Sequence, residues 1–128
     1  MLQFDWEAAE GATVAAVVAK EARGLSDGSL ECREIASVLG AKAVVLRVND
    51  DTDEVIVTLE DFASNSEWQP LGPLQEIVSR TLGWCWIGRN YRGYLDTFTI
   101  ALDGIDPAFC FTGVASTLQC ARVTTIAA

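Results

Sequence analysis

Apolar and polar residues alternate along most of this chain, and that pattern predicts strands. Between Lys42 and Val48, Val44, Leu46 and Val48 share one face while Arg47 takes the other. Residues 54 to 60 return with Val55, Val57 and Leu59 on one side, and the polar run Asn49-Asp50-Asp51-Thr52-Asp53 joins the two as a hairpin. An earlier hairpin is predicted from Glu34 to Leu39 and the Lys42 strand, divided by Gly40. The period of two resumes at Trp84-Cys85-Trp86-Ile87. Asn90 and Gly93 mark a tight connection, with Gly93 at positive φ, and Tyr94 to Leu102 forms the return strand. Asp103-Gly104-Ile105-Asp106-Pro107 is a further turn, followed by strand candidates Phe109 to Val114 and Leu118 to Ile126.

Two segments depart from this rhythm. Pro73 suits a first helical position, Leu74, Ile77, Val78 and Leu82 follow helical spacing, and Gly83 suits a stop, so a helix is predicted near residues 73–82. Residues 12–22 are ambiguous between helix and strand. Ala favours helix, whereas Gly11 and the β-branched Thr13, Val14, Val17 and Val18 favour a strand entered from about Thr13 after a short helical turn. Ala63 to Gly72 reads as a loop pinned by Trp68. Strands and helices do not alternate, which argues against a doubly wound parallel sheet. The expected fold is α+β, mainly an antiparallel meander of hairpins with one packed helix, in a single domain spanning residues 1–128.

Composition narrows the chemistry. Eighteen acids face nine bases, for a net charge of −9, so binding to nucleic acid through its phosphates is disfavoured and a basic protein partner is expected. The first residues carry acid where an export signal carries base, and no apolar run is long enough to span a membrane, so a cytoplasmic, non-membrane protein is expected. Cys32, Cys85, Cys110 and Cys120 form no C-x-x-C pair, and the chain has no histidine. Reduced, buried thiols are the plain reading.

Each chemical candidate has a bland counterpart. Asp50, Asp51, Asp53 and Glu54 could gather around a hard cation, but they lack the ligand spacing of a calcium loop and read equally as a solvated turn. Cys85 has no imidazole to serve as base, and two flanking tryptophans would raise its pKa. No catalytic, cofactor-binding or metal-ligating residue is therefore assigned. Trp84, Trp86, Asn90, Tyr94 and Asp96 combine stacking area with directed hydrogen bonding and form the candidate binding surface. Their bland counterpart is that both tryptophans pack as core against the 73–82 helix while Asp96 braces the Asn90–Gly93 turn.

The run Leu82-Gly83-Trp84-Cys85-Trp86 through Asn90, Gly93-Tyr94 and Asp96, preceded by Asp51-Thr52-Asp53-Glu54, resembles a bacterial family of short single-domain proteins known only as a domain of unknown function. The resemblance covers most of the chain, favours a strand for Thr13 to Ala22, and implies no activity. The expected function is that of a non-enzymatic acidic binding protein, in the manner of an inhibitor or immunity protein. Two alternatives stand beside it: a structural domain that associates with its own copies, and a small-ligand protein or enzyme with an aromatic-lined pocket.

Overall fold

A computed structural model of the chain describes residues 1–124 and 126. Eleven strands follow in order: β1 Ala16–Lys20, β2 Arg23–Gly24, β3 Leu30–Cys32, β4 Glu34–Val38, β5 Lys42–Val48, β6 Val55–Asp61, β7 Gln69–Pro70, β8 Leu82–Arg89, β9 Leu95–Leu102, β10 Pro107–Val114 and β11 Thr117–Arg122. They form two antiparallel sheets, one of five strands ordered β6-β5-β4-β1-β7 and one of six ordered β2-β3-β11-β10-β9-β8. The sheets meet at one corner. There the chain passes from β1 into β2 and from β3 into β4, with the Arg33 N–H donating to the Lys20 carbonyl at 2.9 Å.

The alternation seen in the sequence becomes the core. Val17, Ile35, Leu46 and Val57 from the five-stranded sheet face Phe98, Ile100, Phe109, Phe111 and Leu118 from the other, and all are buried. The open side between β6 and β8 is closed by the N-terminal segment. Leu2 bridges to Val57, the Trp6 ring packs edge-on against Phe98 at 5.5 Å, and Trp6 Nε1 donates to the Gly83 carbonyl at 2.8 Å. A 3-10 turn, Trp6–Ala8, carries the chain across, with Asp5 accepting from the Glu7 N–H at its start.

The expected α+β class and its packed helix are overturned, because the fold is two antiparallel sheets and residues 73–82 hold no α-helix. A 3-10 helix spans Gly72–Ile77, Val78 is extended at ψ 137, and Ser79 has φ 73. The buried residues here are Leu71, Leu74 and Ile77, spaced by three, which is the 3-10 repeat rather than the α repeat. Leu82, counted as the last apolar position of the helix, is the first residue of β8. The ambiguous 12–22 segment contains strand β1, preceded by an isolated bridge from Thr13 to Thr81. Strand β11 stops at Arg122, and of the candidate strand reaching Ile126, Thr125 lies outside the described residues.

Candidate functional site: an exposed aromatic hairpin

Strands β8 and β9 form a hairpin whose turn is built by Asn90. Its Oδ1 accepts from the Arg92 N–H at 2.9 Å and the Tyr94 N–H at 3.3 Å, and its carbonyl accepts from the Gly93 N–H at 2.9 Å. Gly93 has φ 89, as the turn requires. Asn90 thus supports the turn with its own side chain, and Asp96 does not brace it. Gly88 pairs with Thr97 and Arg89 with Leu95, so Asp96 is the extra residue of a bulge, its carboxylate accepting only from the neighbouring Thr97 hydroxyl at 3.4 Å. The strict alternation expected from Tyr94 onward slips at this bulge, which is why Leu95 and Phe98 are both fully buried.

The two tryptophans do not pack as core. Trp84 is 54 % exposed, and Trp86 is half-buried on the same outward face. Register places Trp86 beside Thr99 and Cys110, and the next row across this face runs Gly88, Thr97, Thr112, Gln119, Glu31, Arg23. These neighbours are small or polar. Tyr94 and Ile87 are exposed near the same end of the hairpin, and Tyr91 at its tip is 92 % exposed. Among the five sequence candidates, Trp84, Trp86 and Tyr94 therefore present surface, whereas Asn90 and Asp96 shape the backbone that carries them.

Sequence reasoning missed the charge of this hairpin. Lys20, Arg23, Arg33, Lys42, Arg47, Arg80 and Arg122 each form an ion pair with a carboxylate. Among the described residues Arg89 and Arg92 have none, although acids outnumber bases two to one. The Arg92 guanidinium stands 5.6 Å over the Tyr91 ring and donates to its hydroxyl at 3.1 Å. The signal was present in the sequence: no Asp or Glu occurs between Leu82 and Leu95.

The other candidates resolve into structural roles. Asp53, at φ 58, directs its carboxylate to the Ser116 N–H at 2.8 Å and the Ala115 N–H at 3.2 Å, latching the β5–β6 hairpin onto the β10–β11 turn. The approach is so close that a side chain at Gly113 would lie 2.1 Å from the Asp53 carbonyl oxygen. Burial, followed by the charge of Glu10, pushes the Cys85 thiol up to about 11, which suppresses the nucleophilic thiolate. Cys32 is raised by its neighbour Cys120 and by burial. Two concavities lie elsewhere. One of about 360 Å³ is lined by Lys20, Glu21, Arg33, Glu34 and Glu67; another of about 390 Å³ lies between the Asp27–Leu30 loop, Leu74, Phe109 and Cys120. Neither touches Trp84, Trp86, Asn90, Tyr94 or Asp96. No helix among the described residues is long and apolar enough to cross a membrane.

The fold and site define a small antiparallel two-sheet protein that displays an aromatic, arginine-bearing hairpin. The chain belongs to a family of unknown function, DUF6334, whose model matches residues 1–127. No curated protein and no solved structure matches it.

Proposed function

We propose that the protein acts by contact, as a non-enzymatic binding protein whose interaction surface is the outer face of β8 and β9. The observation that carries this reading is Trp84, 54 % exposed beside Trp86 on a sheet face over which, among the described residues, nothing packs. Burying a large apolar side chain contributes about 2–3 kcal/mol, and this fold forgoes much of that at Trp84. Aromatic residues of this kind dominate the energetics of protein interfaces. Net charge alone favours a basic partner; Arg89 and Arg92, which have no ion pair among the described residues, favour an acidic one there. A cytoplasmic setting belongs to the same reading, in keeping with four unbridged thiols.

The test is affinity capture from the native cell with the full chain and with a Trp84→Ala, Trp86→Ala double variant, each checked for an unchanged thermal midpoint. A partner retained by the wild type and lost by the variant is the expected result. Identical capture by both would end the assignment of this face, and turnover of a metabolite by the purified chain would end the non-enzymatic reading. Light scattering separates self-association from binding of a foreign partner.

A further inference from the structure

We infer that the free edge of β8, Cys85–Arg89, receives an extended acidic segment of a partner protein as an added strand of the six-stranded sheet. This rests on the reading of the hairpin as a contact surface, and adds to it the mode of binding and the chemistry of the partner.

A sheet edge exposes unpaired N–H and C=O groups that template another strand, and folded proteins guard such edges by shortness, proline, charge or cover. Three of the four edges here are guarded. Strands β2 and β7 have two residues each, and β7 ends in Pro70. Along β6 the N-terminal segment lies alongside: the Val57 N–H donates to the Met1 carbonyl at 2.8 Å and the Gln3 N–H to the Val57 carbonyl at 2.9 Å. The strand then ends in Glu60 and Asp61.

Among the described residues the same N-terminal segment bonds only to the start of the β8 backbone, although its Met1 ammonium lies close enough to Arg89 to feel its charge. Gly11 donates to the Leu82 carbonyl at 2.7 Å, Leu82 to the Ala12 carbonyl at 2.9 Å, and Trp6 to the Gly83 carbonyl. From Cys85 onward, among the described residues, the side of β8 away from β9 has no backbone partner. This stretch holds no proline, lysine or acid, and between the irregularities at Leu82–Cys85 and Gly88–Arg89, Cys85 to Gly88 pairs in register with Ile100 to Thr97. It is therefore a short template that carries the exposed Ile87 and follows the exposed Trp84, the arrangement in which main-chain bonds attach a strand and alternating side chains select it.

Charge decides the occupant. Arg89 ends the strand and Arg92 sits in the turn beyond it, and among the described residues they are the two bases without an acidic partner. A second copy paired edge to edge through β8 would bring the same acid-free hairpin, so it supplies no carboxylate along this edge. Single-stranded nucleic acid could meet the arginines and rings, but it would leave the edge amides unmatched. A strand carrying Asp or Glu answers both the backbone and the guanidinium groups.

The test begins with selection of a displayed library of random short peptides on the full-length chain, followed by amide NMR with the selected peptides made synthetically. Acid-rich peptides should emerge, shift the Cys85–Arg89 amides and slow their hydrogen exchange. Methylating alternate peptide nitrogens should abolish binding, and an Arg89→Glu, Arg92→Glu variant should lose about tenfold in affinity with its fold intact. Selection of no peptide, equal binding of lysine-for-acid versions, or shifts confined to residues outside β8 would overturn the proposal. So would protection of these amides by self-association alone, or the same shifts on adding oligothymidylate. Should the Trp84, Trp86 variant lose a captured partner whose binding leaves the β8 amides unmoved, the contact face stands and only strand addition falls.

Discussion

The outward faces of the two sheets are finished in opposite ways, although each carries tryptophan. On the five-stranded sheet, Val18, Ala36, Ala43 and Val45 are covered by Trp68 and Phe62, whose rings meet edge-on at 5.4 Å, and Lys20 stands 4.7 Å over Trp68. On the six-stranded sheet, Trp84 is exposed and Trp86 stands beside Thr99 and Cys110, and among the described residues nothing packs above them. The cause is spare chain. Between β6 and β7 the connection is long enough to fold back across its sheet, whereas the turns joining β8 to β9 and β10 to β11 are too short to return. Exposure of Trp84 is thus a consequence of connectivity, and the apolar area it leaves in water is available to another molecule.

The sharpest way to break this comparison is to truncate a tryptophan on each side. Trp68→Ala should cost about 3–5 kcal/mol, because it leaves the apolar strip beneath it uncovered. Trp84→Ala should change stability by no more than about 0.5 kcal/mol, as exposed positions do. Urea denaturation of the two variants measures both. Comparable losses would mean that the two faces are equally part of the core.

A second test asks what secures the uncovered sheet in place of a roof. The Asp53 carboxylate accepts two N–H groups from the β10–β11 turn, and hydrogen bonds to charged groups contribute about 1.5–3 kcal/mol. Asp53→Ala should therefore lower stability by about 2 kcal/mol, and hydrogen exchange should show the loss first at Ala115 and Ser116. Uniform loosening of both sheets instead would remove the latch from the account.

Much of this architecture was legible. The hairpins around Gly40, Asn49–Asp53 and Gly93 follow from alternation and turn chemistry, and Trp68 pins its loop as its surroundings suggested. Leu74, Ile77 and Leu82 misled because i, i+3 spacing is shared by α- and 3-10 geometry, and Leu82 is buried by a strand rather than a helix. For the site, composition marked Trp84 and Trp86, but whether a strand face is covered depends on distant loops that alternation does not encode. The arginines were overlooked because net charge averages over the chain, whereas Arg89 and Arg92 matter through the acids missing nearby.

The same turn offers a gain. Ala115 and Ser116 both have positive φ, 49 and 67, without being glycine. Such a two-residue connection favours Asn-Gly, so Ala115→Asn with Ser116→Gly should stabilise the chain by about 1 kcal/mol while keeping the Asp53 bonds, which use backbone N–H groups. A rise in urea midpoint is the readout. A fall would mean that the Ser116 hydroxyl, which donates to the Asp50 carbonyl at 3.4 Å, matters more than backbone strain.

The smallest effect concerns the polar half of the covered face, where Lys20, Glu34, Arg47 and Glu60 form a ladder beside the roofed strip. The hydrogen bond from Arg47 holds the Glu60 carboxyl below its ordinary value of 4.5, with help from the Thr58 hydroxyl. A carboxyl depressed by folding stabilises fully above its unfolded pKa, and that contribution is lost as pH falls from 4.5 through the lower folded value. Solvent screening keeps it under about 1 kcal/mol. The drop in urea midpoint between neutral pH and pH ~3 should accordingly be slightly smaller in Glu60→Gln than in the wild type. An unchanged drop would leave Glu60 a solvated end of the ladder.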